Sequence, residues 1–79
     1  MADFKFEIKK NLGILSENSK GWKRELNIIS WNSKPAKIDI REWDEPHEKM
    51  GKGITFSKEE FKGLRDILNL INIDELDME

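Results

Sequence analysis

Lys37, Arg41 and Trp43 stand at odd positions of the stretch Lys37-Ile38-Asp39-Ile40-Arg41-Glu42-Trp43. If the stretch is a strand, an ammonium, a guanidinium and an indole share one side, and Ile38 and Ile40 take the other, buried side. Trp31 and Lys23 have the same parity within the preceding stretch, and Lys52 lies between Gly51 and Gly53, where no neighbouring side chain hinders close approach. Cations pair with anions, while an indole or a guanidinium plane accepts a flat group stacked on it. A polymer with unpaired bases and phosphates satisfies both, each stacked base contributing ~1–3 kcal/mol.

Catalysis has little to work with. Asp44, Glu45, His47 and Glu48 crowd one turn around Pro46, and no second segment carries groups to converge on them. The chain has no Cys and one His, so no thiolate chemistry is available and His47 reads as a local hydrogen-bonding residue. Gly51-Lys52-Gly53 lacks the spacing and the Ser or Thr of a phosphate-binding loop. The expectation is a non-enzyme without cofactor or metal.

The elements that must position these residues follow from periodicity. Phe4, Phe6 and Ile8 alternate with Lys5, Glu7 and Lys9, and the even parity runs on through Leu12 and Ile14, which predicts a strand over 4–16 bent near 11–13. Ser16-Glu17-Asn18-Ser19-Lys20-Gly21 is a turn, so a second strand returns over 22–31 with Leu26 and Ile28 inward and Lys23, Glu25, Asn27, Ile29 and Trp31 outward. Trp22, at the turn, suits either a core position with a wet edge or a contact role. Asn32-Ser33-Lys34-Pro35 breaks that strand; a third is expected over 36–43 and a short fourth over 52–56, with Ile54 and Phe56 inward.

Ser57 and Glu60 form a capping box for a helix over 58–71, with Phe56 and Phe61 as the hydrophobic staple that sets the turn from strand to helix. Its stripe of Phe61, Leu64, Ile67, Leu68, Leu70 and Ile71 is wider than one sheet face requires, which points to a second subunit. Residues 72–79 form an acidic tail.

With 79 residues, a single domain buries only about 60% of its unfolded surface. Disulfides are excluded, so oligomerisation is the expected supplement. The net charge of -2 hides a split. Over 18–41, Lys20, Lys23, Arg24, Lys34, Lys37 and Arg41 outnumber Glu25 and Asp39, whereas over 57–79 carboxylates outnumber Lys58, Lys62 and Arg65. A local basic patch steers a polyanion whatever the sum. Met1-Ala2-Asp3-Phe4-Lys5 opens no signal-peptide core and no run approaches a membrane span. A soluble, cytoplasmic protein with no membrane partner is expected, nucleoid-associated if the cell is bacterial.

Ile38-Asp39-Ile40-Arg41-Glu42-Trp43, then Met50-Gly51-Lys52-Gly53-Ile54-Thr55 and a Ser-capped helix, resembles the single-stranded-DNA-binding domain of the positive cofactor four family of transcriptional coactivators. The small bacterial YdbC-type branch is similar also at Gly21-Trp22, Ser30-Trp31-Asn32 and His47-Glu48-Lys49-Met50. The resemblance spans roughly residues 4 to 70. It implies an α+β fold in which a curved four-stranded antiparallel sheet precedes one C-terminal helix (ββββα), with a homodimer packed through the helices. It also implies outer sheet faces that bind extended single-stranded DNA with little sequence preference, in transcription regulation, replication or repair.

The family's DNA-contacting arginine falls on Arg41, its lysine before the fourth-strand glycine on Lys52, and the aromatic ending its second strand on Trp31. The full expected nucleic-acid face is therefore Lys23, Arg24, Trp31, Lys37, Arg41, Trp43 and Lys52. Two departures stand out. Eukaryotic members carry two consecutive aromatics after Arg-Glu where this chain has Trp43-Asp44, and their following loop is longer and more basic. RNA on the same face, a protein partner such as the transcription machinery, or a dimeric module docking an acidic protein are the alternatives.

Overall fold

The computed structural model describes residues 5–78. Strands β1 (Phe6–Glu17), β2 (Lys23–Trp31), β3 (Lys37–Trp43) and β4 (Met50–Phe56) precede helix α1 (Lys58–Leu70) and a 3-10 turn at Ile73–Glu75. The strands form one antiparallel sheet in chain order. This is the expected ββββα architecture, and α1 carries the expected capping box between Ser57 and Glu60. Phe56 and Phe61 meet edge to face with centroids 5.5 Å apart, which completes the staple. Phe4, expected to open β1, lies outside the described residues.

The alternation expected along β1 does not hold. Its pairing with β2 slips between Ile8 and Lys10, between Asn11 and Gly13, and between Ile14 and Ser16. Lys9, Leu12 and Leu15 are thus extra residues in three successive bulges. The register consequently lines Phe6, Ile8, Asn11 and Ile14 opposite Trp31, Ile29, Asn27 and Glu25, while Leu12 and Leu15 are exposed. Each bulge adds local twist and bends the strand, so the long first strand curls rather than runs flat. β4 also starts earlier than expected, because Met50 pairs with Trp43 across a further irregularity.

Curling decides which face is inside, and it reverses the expectation. Ile29 and Trp43 are the buried hydrophobic residues among those described, joined by Glu25, Asn27, Ser30 and Asp39. Apart from Ser30 these share the odd-numbered side, which was expected to face solvent. Leu26, Ile28, Ile38 and Ile40, expected as core, are only half-buried, and Ile54 is 55% exposed. The odd side closes on itself as the sheet curls, whereas α1 touches only β3 and β4 and has no buried residue. Among the described residues no helix is long and apolar enough to cross a membrane.

Candidate nucleic-acid interface

Asp39 and Arg41 are two apart on β3 and therefore on the same face. Arg41 Nε and Nη2 donate to Asp39 Oδ1 and Oδ2, both at 2.7 Å, so the guanidinium and carboxylate are joined as two parallel forks. Thr55 Oγ1, opposite Asp39 on β4, donates to Oδ2 at 3.0 Å, and Arg41 Nη1 reaches Met50 Sδ at 3.5 Å. Asp39 is fully buried and the Arg41 side chain is 15% exposed. The pair is well shielded from water and fixes the guanidinium plane.

Gly53 makes room for it. The residue lies opposite Arg41, and a Cβ built there would overlap the Arg41 Cβ and the Ile40 carbonyl oxygen and lie 2.9 Å from Arg41 Nε. The glycine that follows Lys52 within β4 is thus explained by the arginine opposite it.

Held in this way, Arg41 Cζ sits 4.6 Å from the Trp31 ring centroid, a cation–π contact. Trp31 is half-buried and is fixed by the turn behind it. Asn32 and Ser33 adopt left-handed conformations at φ 50° and 64°. Lys34 N donates to the Trp31 carbonyl, Ser30 Oγ donates to the Lys34 carbonyl at 2.6 Å, and Lys5 N donates to Asn32 Oδ1 at 2.9 Å. The ring series continues inward, with Phe6 6.0 Å from Trp31 and 5.0 Å from Trp43, and with Trp43 5.6 Å from His47.

Trp43 was expected as an exposed platform and this is corrected: it is 0% exposed, and its Nε1 finds no hydrogen-bond partner among the described residues. The curl brings Phe6 onto it from β1, and the loop after β3 covers it with His47. Arg24 is exposed on the other side of the sheet. It falls between Lys23 and Glu25, hence on the isoleucine side, where it lies 3.7 Å from Glu42. Lys23, Lys37 and Lys52 make no ion pair among the described residues; Lys37 and Lys52 are exposed and Lys23 is half-buried. Lys52 occupies the β3–β4 irregularity between Arg41 and Trp43, outside the regular alternation. Trp22 is half-buried, and its backbone N–H donates to Asn18 Oδ1 at 3.0 Å.

A polar network beneath this surface had no local signal in the sequence. His47, at φ 60°, places Nε2 2.9 and 3.0 Å from the Glu25 carboxylate oxygens and Nδ1 3.1 Å from the Glu45 carbonyl. Asn27 Nδ2 donates to Glu25 Oε1 at 3.1 Å, and Asn11 Nδ2 donates to Asn27 Oδ1 at 2.7 Å. His47 was expected to bond locally, and it does so through Glu45; its partnership with Glu25, on β2, depends on the curl. Among the described residues no group of three or more potential metal ligands gathers.

A curled four-stranded sheet with a terminal helix, an arginine locked against an indole and unpaired lysines nearby defines a small domain of nucleic-acid-binding type. Residues 18–67 match the family described as Transcriptional Coactivator p15 (PC4), and the chain belongs to that non-enzymatic, nucleic-acid-binding family. It is also 47% identical over 72 residues to a protein of Treponema pallidum (strain Nichols), described only as an uncharacterized protein, covering 91% of this chain and 85% of that one.

Proposed function

We propose that the protein binds single-stranded DNA with little sequence preference, as a homodimer, in transcription regulation, replication or repair. The observation that carries this reading is the guanidinium of Arg41 held over half-exposed Trp31, 4.6 Å from its ring centroid. Two planar groups fixed by a buried fork offer stacking surface without further loss of side-chain freedom, and base stacking tolerates any base. Lys23, Lys37 and Lys52 supply the phosphate contacts. Arg41 itself adds little net charge, because Asp39 neutralises it. Trp43 acts as the floor beneath this ledge, and Arg24 lies on the opposite side of the sheet.

Support for the dimer comes from what one chain leaves uncovered. Ile67, Leu68 and Leu70 on α1 are 57%, 46% and 87% exposed, and Ile54 on the sheet is exposed as well. A two-fold contact through α1 and the isoleucine side hides both copies of these patches. Its place of action is the cytoplasm, on the nucleoid in a bacterial cell.

The test is fluorescence anisotropy of a labelled oligothymidine of about 20 nucleotides at several salt concentrations, with duplex DNA and RNA as competitors. Three free lysines predict a slope of about -2 per protomer in log affinity against log salt, at ~-0.7 per phosphate contacted. Absence of binding at low salt would overturn the reading, and preference for RNA would redirect it.

A further inference from the structure

We propose that residues 72–78 of one chain dock into an apolar cleft of a second copy, at the start of its α1. The inference rests on the homodimer proposed above and adds where the acidic tail goes. The cleft, of about 400 Å³, lies on the isoleucine side of the sheet. Ile28, Ile38 and Phe56 line it together with Pro35 and Ala36, and Lys37 and Lys58 also border it.

The tail has the complementary chemistry. Ile73 and Leu76 are 62% and 47% exposed and are joined through the Leu76 N–H to the Ile73 carbonyl at the 3-10 turn. Residues three apart in such a turn eclipse one another, so the two apolar side chains form one short ridge. Asp74, Glu75 and Asp77 flank it. Apolar ridge meets apolar cleft, and the Asp74 and Glu75 carboxylates meet Lys58 beside a helix N-terminus, where negative charge is favoured.

Symmetry makes the second copy the occupant. If two α1 helices cross antiparallel about a two-fold axis, the segment following Leu70 of one lies beside Ser57 and Lys58 of the other. A chain's own cleft lies a helix length behind the start of its tail, ~20 Å for 13 residues.

The chain has no Cys, so introduced thiols report this contact directly. Chains carrying Ala36→Cys are mixed with chains carrying Leu76→Cys under mild oxidation, with Ser19→Cys in place of Ala36→Cys as control. Positions 19, 36 and 76 are all exposed, so the variants leave the sheet intact. A mixed disulfide between different chains is expected, at least tenfold faster than with the control. Lys58→Glu is expected to slow it several-fold, with Asp74→Lys restoring the rate in the combined variant. Cross-linking no faster than the control overturns the proposal, as does preferential closure within one chain of a double variant. Sedimentation of the same samples separates the two readings: a dimer without the cross-link removes only the tail docking, whereas a monomer removes the dimer with it.

Discussion

At the scale of single residues, the site depends on a buried carboxylate and on a missing side chain. Asp39 is fully buried and receives the Arg41 fork together with Thr55. Removing one partner of such a pair leaves an uncompensated charge, a loss of about 3–5 kcal/mol. Arg41→Ala is therefore expected to lower stability by about 3 kcal/mol as well as weaken DNA binding. Asp39→Asn combined with Arg41→Gln should recover most of that stability in urea denaturation while binding stays weak. Equal destabilisation in the single and double variants would contradict the account.

Gly53→Ala perturbs the same pair from the facing strand. A methyl group there collides with Arg41 and with the Ile40 carbonyl, and such overpacking costs about 1–3 kcal/mol. The guanidinium must leave the Trp31 ring to make room. We expect oligothymidine affinity to fall about tenfold, equivalent to the loss of roughly one stacked base, as anisotropy would show; unchanged affinity would mean that Arg41 need not sit on Trp31. Alternation was enough to pair Arg41 with Trp31 and Lys37 on one side. It could not show that Gly53 serves Arg41, because that relation exists only once the β3–β4 register is set.

At the scale of elements, the strands, the capped helix and their order were legible because each depends on local rules: alternation, turn residues, the Ser57–Glu60 box. The curl of β1 was not. Its three bulges place an extra residue at 9, 12 and 15, and the apolar Leu12 sits where unbroken alternation predicts an inward residue. Curling in turn brings the loop between β3 and β4 over the inner face, where His47 lies tilted against Trp43 and bridges to buried Glu25. That loop makes Trp43 a core residue instead of a platform.

His47→Ala deprives the Glu25 carboxylate of its imidazole and uncovers Trp43, and a buried acceptor left short of a partner costs about 1–3 kcal/mol. His47→Asn should cost less, since Asn tolerates the left-handed conformation that His47 adopts at φ 60°. Acrylamide quenching of tryptophan fluorescence should rise in the Ala variant. If quenching matches the parent protein, the loop is not what shields Trp43.

For the whole molecule, the decisive fact is that a single chain has its tightest burial on the wrong side for an ordinary one-layer fold. The inner face encloses Trp43 and Ile29 among polar groups, while Leu26, Ile28, Ile38, Ile40 and the α1 stripe remain partly wet. The two isoleucines of β3 were correctly placed together, but in the single chain they are only half-buried. A sequence reading that assumes a monomer core will put these residues inside and the indole outside, and here the monomer does neither. The dimer proposed above has a measurable consequence, because association with a second copy would stabilise only the folded form and link stability to concentration. The melting temperature should therefore rise with protein concentration over the micromolar range. Leu64→Asp, in the middle of the α1 stripe, should abolish that dependence and sediment as a monomer, with a melting temperature below that of the parent at every concentration. A melting temperature independent of concentration in the parent protein, together with a monomeric mass, would show that one chain stabilises itself with its apolar side bare, and the helix stripe would need another partner.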